Sequence, residues 1–134
     1  MCIRDRNTTG NPDGHIVLRG GSKGVNFENQ HVNSISSQLK ESNLPHKVMI
    51  DCSHGNSNKD YRKQSDVLKN VASQISNGEK NILGVMLESH LKEGNQKLLK
   101  KEDLQFGRSI TDACIDIDTT KELLAILYNS LSLL

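Results

Sequence analysis

The amino-acid sequence predicts an α/β fold in which parallel strands lie between covering helices. Two observations predict it. Short segments that are apolar throughout alternate with longer segments whose apolar residues recur at helical spacing, and glycine, proline or polar turns separate them. Strands with no polar face need cover on both sides, which is the condition of a parallel sheet flanked by helices. Doubly wound sheets and (β/α)8 barrels both satisfy it.

The elements follow in order. His15 to Arg19 is a short apolar run closed by Gly20 and Gly21, a buried-strand signal. From Glu28 to Ser42, Val32, Ile35 and Leu39 recur at helical spacing, with Asn26 placed to cap the N-terminus. Pro45 breaks the chain, and Lys47 to Asp51 forms a second strand, followed by a polar turn from Cys52 to Asn58. The next helix carries a stripe of Tyr61, Ser65, Leu68, Ala72 and Ile75, with Gly78 as its C-terminal stop. Asn81 to Leu87 is the third strand. Ser89 to Arg108 is a polar loop with two glycines, longer than a plain connector and therefore a functional candidate. Thr119 and Glu122 have capping-box spacing, and Leu123, Leu124, Ile126, Leu127 and Leu131 continue as a helical stripe. The resulting β-α-β-α-β-loop-α order is about three β/α units, whereas a whole barrel needs about 250 residues.

The 134 residues suffice for one domain, and 17 basic against 16 acidic residues leave a net charge of +1. No basic excess points to nucleic acid or to an anionic membrane surface. A hydrophobic content of 34% is low for a compact domain and fits either partial disorder or a chain that packs against further sequence. Cys2, Cys52 and Cys114 form no close pair, which argues against a disulfide framework and for a reducing, cytoplasmic setting. No CxxC marks a structural zinc site. No apolar run is long enough for a bilayer span, and the N-terminus has no signal-peptide core. The first six residues, MCIRDR, fit no element and resemble a translated sequencing-adapter remnant. They are read as a non-native lead.

Three polar residues stand where a parallel barrel gathers its chemistry, at the C-terminal ends of strands. His54 lies three residues beyond the second strand, Glu88 closes the third, and Asp112 follows the long loop. An imidazole with two carboxylates suits Mn, Fe, Co or Zn better than Ca or Mg. Each also has a simpler explanation: His54 as a polar turn residue, Asp112 as a helix cap or turn residue. Glu88 is harder to explain away, because a carboxylate after an apolar run is costly to bury without a partner. Arg19 at the end of the first strand suits a phosphate or carboxylate, or a rim salt bridge. Lys59, Arg62 and Lys63 read as a solvated helix face, with a substrate role as the alternative. His90 reads as an exposed loop histidine, and Cys52 and Cys114 as small buried fillers rather than nucleophiles. The glycine pair after Arg19 is no dinucleotide fingerprint, since no GxGxxG follows.

The segments HIVLRGG (15–21), VMIDCSHGNSNKDYRKQ (48–64), GVMLESHLKEGNQ (84–96) and GRSITDACI (107–115) together resemble the closing third of type I 3-deoxy-D-arabino-heptulosonate 7-phosphate (DAHP) synthases. The resemblance runs from about Gly10 to the C-terminus, with the blocks in order and in register. It implies the C-terminal portion of a (β/α)8 TIM barrel, with residues 7–134 as part of one barrel domain. It implies condensation of phosphoenolpyruvate with erythrose 4-phosphate, the first step of the shikimate pathway, and release of phosphate. It implies one divalent metal ion held by a cysteine, a histidine, a glutamate and an aspartate. The last three match His54, Glu88 and Asp112, and the arginine that helps hold phosphoenolpyruvate matches Arg19. In the implied mechanism the metal acts as a Lewis acid on the aldehyde or activates water.

The metal cysteine belongs to a GPCS-type block that this sequence lacks, as it lacks the KPRTS-type stretch. Neither Cys52 nor Cys114 aligns with that cysteine. The 134-residue chain alone is therefore expected to be inactive and poorly folded, and the full-length protein to be a homo-oligomer, dimer or tetramer. The alternative is a non-catalytic binding or assembly module derived from the barrel, and a third reading is an unrelated metal-dependent lyase or aldolase barrel, which the order of the matched blocks disfavours. Two departures are local: Cys52-Ser53-His54-Gly55 follows the fungal pattern rather than Phe-Ser-His-Ala, and Asp116-Ile117 stands where Gly-Trp is common.

Overall fold

The structure, a computed structural model, describes residues 7–131, so the reading of the first six lies outside the described residues. It contains β1 (Ile16–Leu18), α1 (Asn29–Glu41), β2 (Val48–Asp51), α2 (Gln64–Ser76), β3 (Ile82–Met86) and α3 (Ile117–Leu131). The strands form one parallel sheet in the order β1-β2-β3. Three parallel strands alternating with helices form an open portion of a (β/α) barrel.

The core lies on the helix side of the sheet. Leu18, Val48 and Ile50 from the strands and Cys52 just after β2 meet Val32 of α1, Val67, Leu68, Val71 and Ile75 of α2, and Leu123 of α3. Each aliphatic side chain buried this way contributes roughly 1.5–3 kcal/mol. Val67 and Val71 widen the α2 stripe beyond the residues read from spacing. On α3 the stripe is half used: Leu123 is buried and Leu127 packs on the core, whereas Leu124, Ile126 and Leu131 are exposed.

β3 looks apolar on both faces in sequence, and its register shows how the faces are divided. Val48 of β2 pairs with Ile82 but Met49 pairs with Gly84, which leaves Leu83 as the extra residue of a bulge. Because side chains alternate with a period of two, this one residue re-phases the rest of the strand. Val85 and Leu87 turn to the core, while Met86 and then Glu88 share the opposite face with Asp51. Leu83 itself is exposed.

Two helix starts differ from expectation. Asn26 does not cap α1: Glu28 occupies that position without a side-chain cap, and the Asn26 side chain instead accepts a hydrogen bond from Gly20 N at 2.7 Å. Thr119 lies inside α3 rather than ahead of it. Asp116 precedes the helix, and its Oδ1 accepts from Thr119 N at 2.7 Å while its carbonyl accepts from Thr120 N at 3.0 Å. The departure at 116–117 thus supplies a cap, and Ile117 is exposed rather than packed. Gly78 behaves as expected, ending α2 with a positive φ of 94° and donating to Ile75 O.

Candidate metal centre

The turn after β2 is polar in composition but buried, contrary to an ordinary surface turn. Cys52, Ser53, Asn56 and Ser57 are almost wholly inaccessible. Its backbone is satisfied internally, with Ser57 N donating to Ser53 O and Lys59 N to His54 O. Asn56 ties it to the neighbouring strand: its side-chain amide donates to Leu18 O and Asp51 O, and its N–H donates to Arg19 O. Gly20 and Gly55 meet backbone to backbone. A Cβ on Gly20 would lie 2.5 Å from the Gly55 carbonyl carbon, and Gly20 also has a φ of +70°, so both positions require glycine.

His54 adopts a left-handed backbone, φ +46°. Its Nδ1 lies 2.7 Å from Asp51 Oδ2 and 2.7 Å from Ser53 Oγ, and its Nε2 lies 3.4 Å from Glu88 Oε1. Glu88, just past β3, is held by Gln64, the first residue of α2. The fully buried Gln64 side chain accepts from Glu88 N at 2.8 Å and donates to Glu88 O at 3.2 Å. Asp112 is brought in by the long loop, which is more ordered than its composition implies. Isolated bridges pair Gly94 with Cys114, Asn95 with Ser109 and Ser89 with Ile115, and Asn95 Nδ2 donates to Thr111 O.

These elements bring the three residues together. His54, Glu88 and Asp112 each offer a ligand atom, and all three atoms lie within 4.8 Å of one another. One imidazole and two carboxylates at this spacing form a site of the kind that holds a single divalent metal. The electrostatics agree. Desolvation pushes the Glu88 carboxyl above its ordinary range; His54 opposes the shift, and the nearby Asp112 and Asp51 carboxylates reinforce it. A bound cation would relieve that repulsion. A cleft of about 320 Å³ opens over the cluster and is lined also by Arg19, Lys59 and Tyr61. Of the three basic residues after the turn, Lys59 lines this cleft and Arg62 is folded onto Asp60 at 2.9 Å. His90 is exposed and outside the cluster, its Nδ1 accepting from Leu91 N.

Burial pushes the Cys52 thiol up to about 12 and raises that of Cys114, so both stay neutral fillers at neutral pH. Four supporting residues had escaped the sequence reading: Asp51, Ser53, Asn56 and Gln64. Asp51 carried a signal, an acid at a strand end three residues before a histidine. Gln64 carried none, since a glutamine opening a helix is ordinary.

The chain matches the DAHP synthetase I family over residues 2–125. It is 52% identical over 124 residues to the Phe-sensitive phospho-2-dehydro-3-deoxyheptonate aldolase of Escherichia coli K12, covering 92% of this chain and 35% of that protein. It is 47% identical over 121 residues to the tyrosine-inhibited phospho-2-dehydro-3-deoxyheptonate aldolase of Schizosaccharomyces pombe, covering 87% and 32%. Among solved structures, a phospho-2-dehydro-3-deoxyheptonate aldolase from Francisella tularensis SCHU S4 superposes with a TM-score of 0.89 at 45% identity, over 94% of this chain and 36% of that one. The chain thus spans about a third of the length of the curated relatives it matches. With the family's blocks present in order, the barrel topology shared and the strand-end cluster assembled, the chain belongs to the DAHP synthetase I family.

Proposed function

We propose that the protein carrying this chain is a metal-dependent DAHP synthase, which joins phosphoenolpyruvate to erythrose 4-phosphate and releases phosphate. The observation that carries this reading is the convergence of His54, Glu88 and Asp112 within 4.8 Å, beneath a cleft that Arg19 lines. These three residues would hold one divalent ion of the Mn, Fe, Co or Zn class. When bound, the ion supplies Lewis-acid polarisation of the aldehyde oxygen.

The chain's own residues supply binding and orientation. Arg19 offers a planar guanidinium that pairs with the carboxylate or phosphate of phosphoenolpyruvate and turns its C3 toward the aldehyde carbon. Lys59 adds a second cation at the cleft for an anionic substrate. In the overall reaction C3 attacks the aldehyde carbon, water adds at C2 and phosphate departs. The protein acts as a homo-oligomer in the cytoplasm, without nucleic acid or membrane. Buried, neutral Cys52 and Cys114 support a reducing setting, and no helix among the described residues is long and apolar enough to cross a membrane.

The test is phosphate release by the full-length protein given both substrates. Chelation is expected to abolish it and manganese to restore it. Glu88→Gln and Asp112→Asn are each expected to weaken manganese binding by about 100-fold, and Arg19→Ala to raise the KM for phosphoenolpyruvate about tenfold or more. Turnover that survives both chelation and Glu88→Gln would remove the reading. The 134-residue chain alone is expected to form no product.

A further inference from the structure

We infer that Asp51 and Ser53 are positioning residues that lock His54 in its Nδ1–H tautomer and present the Nε2 lone pair to the carboxylate cluster. The inference rests on the metal-centre reading above and extends it to residues outside the ligand set.

Asp51 is 2% exposed. Its Oδ1 accepts two hydrogen bonds from Ser53, 2.8 Å from the backbone N–H and 2.6 Å from the hydroxyl. Those two bonds tie this oxygen to the start of the turn. Oδ2 has a different employment, facing His54 Nδ1 at 2.7 Å. Ser53 Oγ, having given its proton to Asp51, faces the same Nδ1 with a lone pair at 2.7 Å.

Both atoms against Nδ1 are therefore acceptors. A bare Nδ1 would set three lone pairs against one another in a buried place, so Nδ1 carries the hydrogen. Neutral imidazole has one N–H, which leaves Nε2 with a free lone pair on the side of Glu88, 3.4 Å away. The backbone holds the ring to this arrangement. His54 sits at φ +46°, and its carbonyl accepts from Lys59 N at 2.8 Å and from Ser57 Oγ at 3.3 Å. A carboxylate behind a metal-facing histidine fixes ring orientation and strengthens the ligand. A carboxylate that merely shaped the turn would not need its second oxygen on the imidazole.

The test uses the full-length protein labelled with 15N-histidine, metal-free and in alkaline buffer where the imidazole is neutral, with His54→Asn to assign the resonance. Wild type is expected to show a protonated Nδ1 and an unprotonated Nε2. In Asp51→Asn the side-chain amide can turn an N–H toward Nδ1, so the tautomer is expected to invert and the manganese Kd to rise about 10–100-fold. Circular dichroism checks that this variant folds, and the wild-type tautomer decides the matter if it does not. A wild type that binds manganese yet rests as the Nε2–H tautomer overturns the inference and leaves the metal centre standing. So does a folded Asp51→Asn with an unchanged tautomer and a Kd within about twofold. Manganese that does not bind wild type at all overturns both.

Discussion

His54, Asn58 and Lys59 all take left-handed backbone conformations within one turn, at φ of 46°, 54° and 61°. Such conformations cost non-glycine residues of order 1–3 kcal/mol each and persist only where the surroundings over-determine them. Here the determinants are the Asn56 amide, which spans the ends of β1 and β2, and the contact of Gly20 with Gly55. Gly55→Ala would put a Cβ 2.7 Å from the Gly20 carbonyl carbon, where only backbone can yield. It is expected to cost about 2–3 kcal/mol in chemical denaturation and to weaken manganese binding, because it separates Arg19 from the His54 turn. The cysteines give a second check at this scale. With its thiol pushed up to about 12, Cys52 is expected to resist iodoacetamide at neutral pH in the native protein and to react once unfolded, as read by mass spectrometry.

Element starts and registers decide where the site residues point. Gln64 opens α2 and grips both the N–H and the carbonyl of Glu88, joining the helix start to the end of β3. Gln64→Leu removes both partners and is expected to cost about 2 kcal/mol, seen as a lowered denaturation midpoint. At α3 the Asp116 carboxylate is held below its ordinary range, chiefly by the Thr119 N–H. A folded value depressed below the unfolded one means that Asp116 stabilises above the ordinary aspartate range and loses that contribution as pH falls through the folded value. Asp116→Ala is therefore expected to lower Tm by a few degrees at pH 7, with the gap to wild type closing under strongly acidic conditions. The bulge at Leu83 belongs here too. Without it, Glu88 would face the helices rather than Asp51.

Across the whole molecule, large apolar side chains stand in solvent at several places. Leu98, Leu99 and Phe106 project from the long loop, and Leu124, Tyr128 and Leu131 from α3. Among the described residues, the outer edges of β1 and β3 pair with no further strand. The 134-residue chain in isolation is accordingly expected to bind the dye ANS and to melt without a sharp cooperative transition. A monomeric sample with a cooperative transition would contradict that expectation.

Element types and their order were legible in the sequence because periodicity reflects one-sided or two-sided burial, a local property of the chain. The strand ends at Arg19, His54 and Glu88 could be located for the same reason, since parallel strands deliver their last residues to one face. Side-chain hydrogen bonds between distant segments were not legible. Asn26 and Thr119 had the chemistry of helix caps, yet Asn26 was taken by Gly20 and Asp116 reached the α3 amides first. The bulge that turns Glu88 inward, the Gln64 clamp and the Asp51–Ser53 support of His54 appeared only in three dimensions. The sequence by itself determined which segments are strands and helices and which residue types could meet at the strand ends. Only the tertiary structure decided their register, their capping and the orientation of the ligand atoms, because those depend on which of several chemically equivalent partners lies within hydrogen-bonding reach.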